Sequence, residues 1–139
     1  YLRAYEENWI LFPDVEEVLS KLAPYNLGII SNGDSQQQRR KLESTGIASH
    51  FSVVLISGDI SIAKPDSRIF LQACSQAALP PESCCYVGDS LEDDVIPANK
   101  TGLLGIWINR QAETNPTSVL EISNLLGMKP LIESFINNK

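Results

Sequence analysis

The sequence predicts an α/β fold of the doubly wound kind, a parallel sheet covered by helices on both faces. Three observations carry this. Short apolar runs alternate with helical stretches along the whole chain. The runs are continuous rather than alternating, as in strands buried on both faces. The unusual polar residues fall just after the runs, at the rim where such sheets bind ligands.

The elements follow in order. A helix is expected over residues 2–10, although it starts without a cap. Pro13-Asp14 opens a second, whose Val15, Val18, Leu19 and Leu22 recur at amphipathic spacing. Pro24 to Gly28 breaks it, and residues 27–30 form a buried strand ending at the turn pair Asn32-Gly33. A polar helix over 35–44 stops near Gly46, and a strand over 53–56 follows. Pro65 opens a helix running to about Ala77, Pro80-Pro81 ends it, and the next strand covers 84–87. A helix over 94–100 stops at Gly102 before a fourth strand at 104–108. Residues 109–117 read as a loop, and the C-terminal region as helical.

At 139 residues the chain is expected to form one domain, residues 1–139, large enough to bury roughly two-thirds of its unfolded surface. With 43% hydrophobic and 20% charged residues, neither a disordered nor a fibrous chain fits. The net charge of −6 repels a polyanion, so nucleic acid is not an expected partner. No apolar run is long enough to cross a bilayer and no signal-peptide pattern opens the sequence, so no membrane partner and a cytoplasmic location are expected. Cys74, Cys84 and Cys85 are odd in number and lack C-x-x-C spacing; they read as free thiols packed in the core. His50, the sole histidine, has no acidic or hydroxyl neighbour in sequence and reads as structural.

Three polar clusters carry candidate chemistry. In Gly88-Asp89-Ser90-Leu91-Glu92-Asp93-Asp94 a strand end delivers one carboxylate and the next helix another, a set able to hold a hard cation such as Mg2+. The same residues could merely cap that helix and complement its dipole. Ser31-Asn32-Gly33 could be only a turn, or could offer a hydroxyl and backbone N–H groups to a phosphate beside a helix N-terminus. Lys64, just before Pro65, is either a solvated lysine or a point charge held near the strand ends.

In this order, at strand ends separated by helices, the clusters resemble the haloacid dehalogenase superfamily. Ile29-Ile30-Ser31-Asn32-Gly33 resembles its second motif, Ala63-Lys64-Pro65-Asp66-Ser67-Arg68-Ile69-Phe70 its third, and Tyr86-Val87-Gly88-Asp89 through Asp94 its fourth. Phe12-Pro13-Asp14-Val15 resembles the return from an inserted helical cap, so that residues 1–12 would be its remnant. The resemblance implies a three-layer Rossmann-like core and a Mg2+-dependent phosphatase of a small phosphorylated metabolite, acting through an aspartyl-phosphate. It implies that Ser31, with Asn32 and Gly33, binds the phosphoryl group, that Lys64 stabilises its charge, and that Asp89 binds Mg2+. Asp94 would support the metal, with Asp93 as the alternative.

The superfamily's first motif is a strand ending in Asp-x-Asp, and no such segment precedes Tyr1. Glu6, Glu7 and Asp14 lie in helical contexts and take neither aspartate's role. The chain is therefore expected to be an inactive C-terminal fragment. The resemblance places the missing strand between those ending at Ser31 and Asp89. That gap would close by direct pairing of the two strands, by a second copy, or by the missing segment itself. Two other functions are weighed: a non-catalytic phosphate-binding or interaction domain, and a metal-independent haloacid dehalogenase. Asp89 argues against the latter, because no phosphate or cation would relieve its charge there.

Overall fold

The computed structural model describes residues 12–117 and 119–137. The expected capless helix over 2–10, and nearly all of the cap remnant, lie outside them. Helix α1 (Asp14–Lys21) turns Val15, Val18 and Leu19 into the core, and its end is tied by the Glu17–Lys21 pair at 3.1 Å. Strand β1 (Gly28–Ser31) leads to α2 (Ser35–Ser44), capped by Asp34, whose Oδ2 accepts from Gln37 N–H at 3.0 Å. Next come β2 (Val53–Ile56), the single turn α3 (Ser57–Ile60), and α4 (Ser67–Gln76). Strand β3 (Cys85–Gly88) ends at a π-helical turn, Leu91–Val95, continued by α5 (Ile96–Lys100). Strands β4 (Leu104–Ile108) and β5 (Leu120–Ile122) and helix α6 (Met128–Asn137) complete the chain.

This is the α/β architecture the sequence predicts, with differences that include the unexpected turn α3 and a β3 one residue later than 84–87. Helix α4 begins at Ser67, because Asp66 caps it by accepting from Arg68 N–H at 3.0 Å, and Pro65 lies in the preceding loop. The helix expected over 94–100 starts instead as a π turn at Leu91, in which Ser90 C=O accepts from Val95 N–H at 3.2 Å. A fifth strand occupies Leu120–Ile122. The strand expected to be buried at 27–30 is β1, and its Ile29, Ile30 and Ser31 are only half-buried.

The cause of that last difference is the sheet. Among the described residues β1 pairs only with β2, parallel and in register from Gly28 opposite Val53 to Ser31 opposite Ile56. β3, β4 and β5 form a separate parallel sheet. The direct pairing of β1 with β3, one of the three closures expected from the sequence, is not formed. Between them runs an apolar groove of about 480 Å³, lined by Gly28, Ile29 and Ile30 on one side and Cys85, Tyr86 and Val87 on the other. The β1 and β3 edges, which no described strand joins, flank the same space.

Two apolar clusters sit on the faces of the sheets. One joins α1, Leu42, β4 and Met128; the other joins Leu55, Ile69, Phe70, Cys74, Ala98 and Leu103. The cysteines are free, with Cys74 buried and Cys84 and Cys85 half-buried against these clusters. No described helix is long and apolar enough to cross a membrane.

Asp14 anchors α1 to the far end of the chain. Its Oδ2 accepts from Leu125 N–H at 2.6 Å, and its carboxylate pairs with Arg110 at 3.2 Å. The Arg110 guanidinium lies 3.9 Å from the centroid of the Phe12 ring. Burial would raise this carboxyl, but the Leu125 amide and Arg110 together outweigh it and hold Asp14 below its ordinary 3.8. A lowered folded pKa means that the stability it contributes is present above that value and is lost as the pH falls through the folded one. Asp14→Asn is expected to cost about 1.5–3 kcal/mol at pH 7. Urea titrations at pH 7 and pH 3 should show the deficit shrinking in acid.

Candidate functional site

Strand ends β1 and β3, with the loop before α4, surround a second cavity of about 290 Å³. Ser31, Asn32, Lys64, Asp89, Asp93 and Asp94 all line it. Gly33 does not: its N–H donates to Ser57 Oγ at 2.8 Å and its carbonyl accepts from Gly58 N–H at 3.0 Å, so it fixes the loop to α3. Ile29 and Ile30 line both this cavity and the apolar groove, so the groove opens onto the polar rim.

The Asn32 side chain is engaged in a clamp. Its Nδ2 donates to Lys64 C=O at 3.0 Å and its Oδ1 accepts from Lys64 N–H at 2.9 Å. Both ends of the amide are thus spent on the backbone 32 residues away. Its backbone carbonyl accepts from Gln38 Nε2 at 3.4 Å, so what Asn32 can offer a ligand is N–H groups, its own and the second of Nδ2. The clamp holds Lys64 over the strand ends.

Lys64 Nζ lies 2.7 Å from Asp94 Oδ1, and the two side chains are 9% and 3% exposed. A charge pair so dry persists only when its remaining atoms are also satisfied. Asp94 Oδ1 also accepts from Tyr86 O–H at 3.2 Å, and Oδ2 accepts from Ser90 N–H at 3.2 Å. Both Asp94 oxygens are therefore occupied within the protein. Asp89 and Asp93 are exposed at the rim, which leaves them as the carboxylates facing the cavity.

The local fold explains why Asp94 points inward. The π turn rotates it toward β3, as such turns commonly do at functional positions. Gly88 lets it approach: a β-carbon there would fall within 2.5 Å of the Asp94 carboxyl carbon. Ser90 Oγ accepts from Asp93 N–H at 3.1 Å and caps the turn, and Trp107 Nε1 donates to Asp89 C=O at 3.1 Å, fixing the strand-end loop from β4.

Sequence reasoning missed Tyr86, whose ring stands edge-on to Phe70 with centroids 5.1 Å apart. Burial, then the nearby Asp94 carboxylate, push the Tyr86 phenol well above its ordinary range. Its signal was a hydroxyl-bearing aromatic in an otherwise apolar strand. His50 closes a short turn with its N–H on Ile47 C=O and does not line the cavity.

Chemically the cavity offers the Ser31 hydroxyl, the partly engaged Lys64 ammonium and two exposed carboxylates, with Lys41, Thr45 and Ser90 also on its wall. That set suits a phosphate monoester accompanied by a cation, since one or two carboxylates commonly hold Mg2+ together with water and substrate oxygens. Among the described residues no group of three or more acidic, cysteine or histidine side chains forms a self-sufficient metal site. The described acids fit Mg2+ only if other ligands complete its shell.

The family described as haloacid dehalogenase-like hydrolase matches residues 2–108. A phosphoserine phosphatase of Thermus thermophilus is 38% identical over 102 residues, which are 72% of this chain and 41% of that protein. Among solved structures, a HAD phosphatase from Thermococcus onnurineus superposes with a TM-score of 0.83 at 33% identity, over 88% of this chain and 58% of that one. A 2-haloacid dehalogenase from Pseudomonas syringae pv. Tomato gives 0.82 at 32% identity, over 91% and 55%. The chain thus spans about half the length of the relatives it matches.

Proposed function

Because the chain belongs to the haloacid dehalogenase-like hydrolase family, we propose that it forms the phosphate- and metal-binding part of a phosphatase acting on a small phosphorylated metabolite. The observation that carries this reading is the shared cavity of Ser31, Lys64 and Asp89. The Ser31 hydroxyl and the Asn32 backbone hold the transferring phosphoryl group, and Lys64 meets its negative charge. Asp89, with Asp93 beside it, holds Mg2+, which when bound neutralises charge on the phosphoryl oxygens. Asp94 fixes Lys64, and so supports the site without facing the ion.

The nucleophile and the general acid then belong to a strand seated in the groove between β1 and β3. A parallel strand there would pair with both open edges, and its end would emerge where the groove meets the rim. An aspartate at that end attacks phosphorus, forming an acyl phosphate as the P–O bond to the leaving alcohol breaks. A second acid protonates the leaving oxygen and later activates the water that hydrolyses the acyl phosphate.

The structural likeness to a 2-haloacid dehalogenase favours a second reading, halide displacement by the same kind of nucleophile. Two exposed carboxylates at the rim count against it, because they add negative charge with nothing in that reaction to offset it. The test uses a longer protein that contains this chain and supplies the strand. With Mg2+ it should hydrolyse p-nitrophenyl phosphate, and Asp89→Asn should reduce kcat on the order of 10²-fold or more. Release of chloride from 2-chloropropionate, with no phosphatase activity, would replace this reading with the second.

A further inference from the structure

The chemistry above leaves Tyr86 unused, although its hydroxyl sits among the site's ionic groups. The oxygen is 3.2 Å from Lys64 Nζ, 3.2 Å from Asp94 Oδ1 and 3.5 Å from the Ile30 carbonyl of β1. A phenol has one proton to donate and can accept as well. Its proton is committed to Asp94 or Ile30, both of which are acceptors only, so toward Lys64 it acts as the acceptor.

An ammonium has three N–H donors on a flexible four-carbon stem, and one ion pair alone does not fix their directions. Here Asp94 Oδ1 takes one and Tyr86 Oη a second. With two of three fixed, the third has a single direction left. Phe70 braces the Tyr86 ring from α4, so the acceptor itself is held in place.

We propose that Tyr86 is a positioning residue: by accepting one Lys64 N–H while donating its own proton to Asp94, it aims the remaining Lys64 N–H into the cavity shared with Ser31 and Asp89. This rests on the phosphatase reading, in which that third N–H meets the transferring phosphoryl group. Without the hydroxyl, Lys64 keeps its charge and its ion pair but loses its aim. The loss should fall on the transition state, where distances are tightest, more than on ground-state binding.

The test compares the longer, strand-containing protein with its Tyr86→Phe, Lys64→Ala and double variants, using p-nitrophenyl phosphate and Mg2+. Tyr86→Phe should lower kcat about tenfold with KM changed less than about twofold, and should change nothing further once Lys64 is alanine. An equal loss in both backgrounds would mean a packing role and would overturn the proposal, as would an unchanged kcat. A second readout does not need turnover: the 15N–1H signal of the Lys64 ammonium, identified by its absence in Lys64→Ala. It should shift and broaden in Tyr86→Phe, and an unchanged signal overturns the proposal. If the unmodified protein hydrolyses nothing, the phosphatase reading fails while this signal still decides whether Tyr86 holds Lys64. Should Tyr86→Phe not fold, Tyr86→Met also removes the hydroxyl and is read in the same way.

Discussion

Lys64→Ala is expected to cost both activity and stability, by amounts that can be separated. In the longer, strand-containing protein, removing the ammonium that the proposed function assigns to the phosphoryl group should reduce kcat on the order of 10²–10³-fold. The same change leaves the Asp94 carboxylate, 3% exposed, with only the Tyr86 hydroxyl and the Ser90 amide. Breaking a buried pair from one side typically costs about 3–5 kcal/mol, because the surviving charge has no counter-ion. Urea unfolding should register that loss. Pairing Lys64→Met with Asp94→Asn removes both charges, so most of the stability should return while the activity stays lost. An active Lys64→Ala protein would show that the ion pair is structural and that the phosphoryl group is held elsewhere.

The second large effect concerns the groove. Among the described residues no strand pairs with the groove-facing edges of β1 and of residues 86–88 in β3, whereas the β1–β2 and β3–β4 ladders are complete. In the 139-residue chain, hydrogen exchange is expected to be fast for the groove-facing amides of Gly28–Ser31 and of residues 86–88. A seated strand would satisfy several such groups, each worth about 1–3 kcal/mol when buried and unpaired. Several together amount to a large share of a domain's net stability of about 5–15 kcal/mol. In a longer protein carrying the strand, protection at these positions should rise at least a hundredfold. Equal exchange in the two proteins would mean that nothing pairs with these edges.

Much of this architecture was legible in the residues, and the misses have physical causes. Strands β2 and β4 read correctly because both are continuous apolar runs with paired neighbours. Strand β1 reads as buried from Leu27-Gly28-Ile29-Ile30, yet burial depends on a neighbour outside these residues, so its sequence alone could not show that it is half-open. Strand β5 escaped because three residues are too few to display a period beside a polar loop.

At the site, order along the chain was enough to bring Ser31, Lys64 and Asp89 to one rim. It could not show how each side chain is spent. Asn32 reads as a phosphate ligand or a turn residue, but its amide clamps the Lys64 backbone, a contact across 32 positions with no local signature. Asp93 and Asp94 are adjacent and chemically equivalent in sequence. Only the π turn separates them, turning Asp94 inward to Lys64 and leaving Asp93 at the surface.

Turnover measured side by side on the verified 139-residue chain and on a longer protein that adds the groove strand tests the central claim most directly. With p-nitrophenyl phosphate and Mg2+, the longer protein should hydrolyse the ester and the 139-residue chain should not, since the proposed function assigns the attacking aspartate to the groove strand. Hydrolysis by the 139-residue chain alone, abolished by Asp93→Asn or Asp89→Asn, would contradict this account and place the attacking carboxylate on the rim itself.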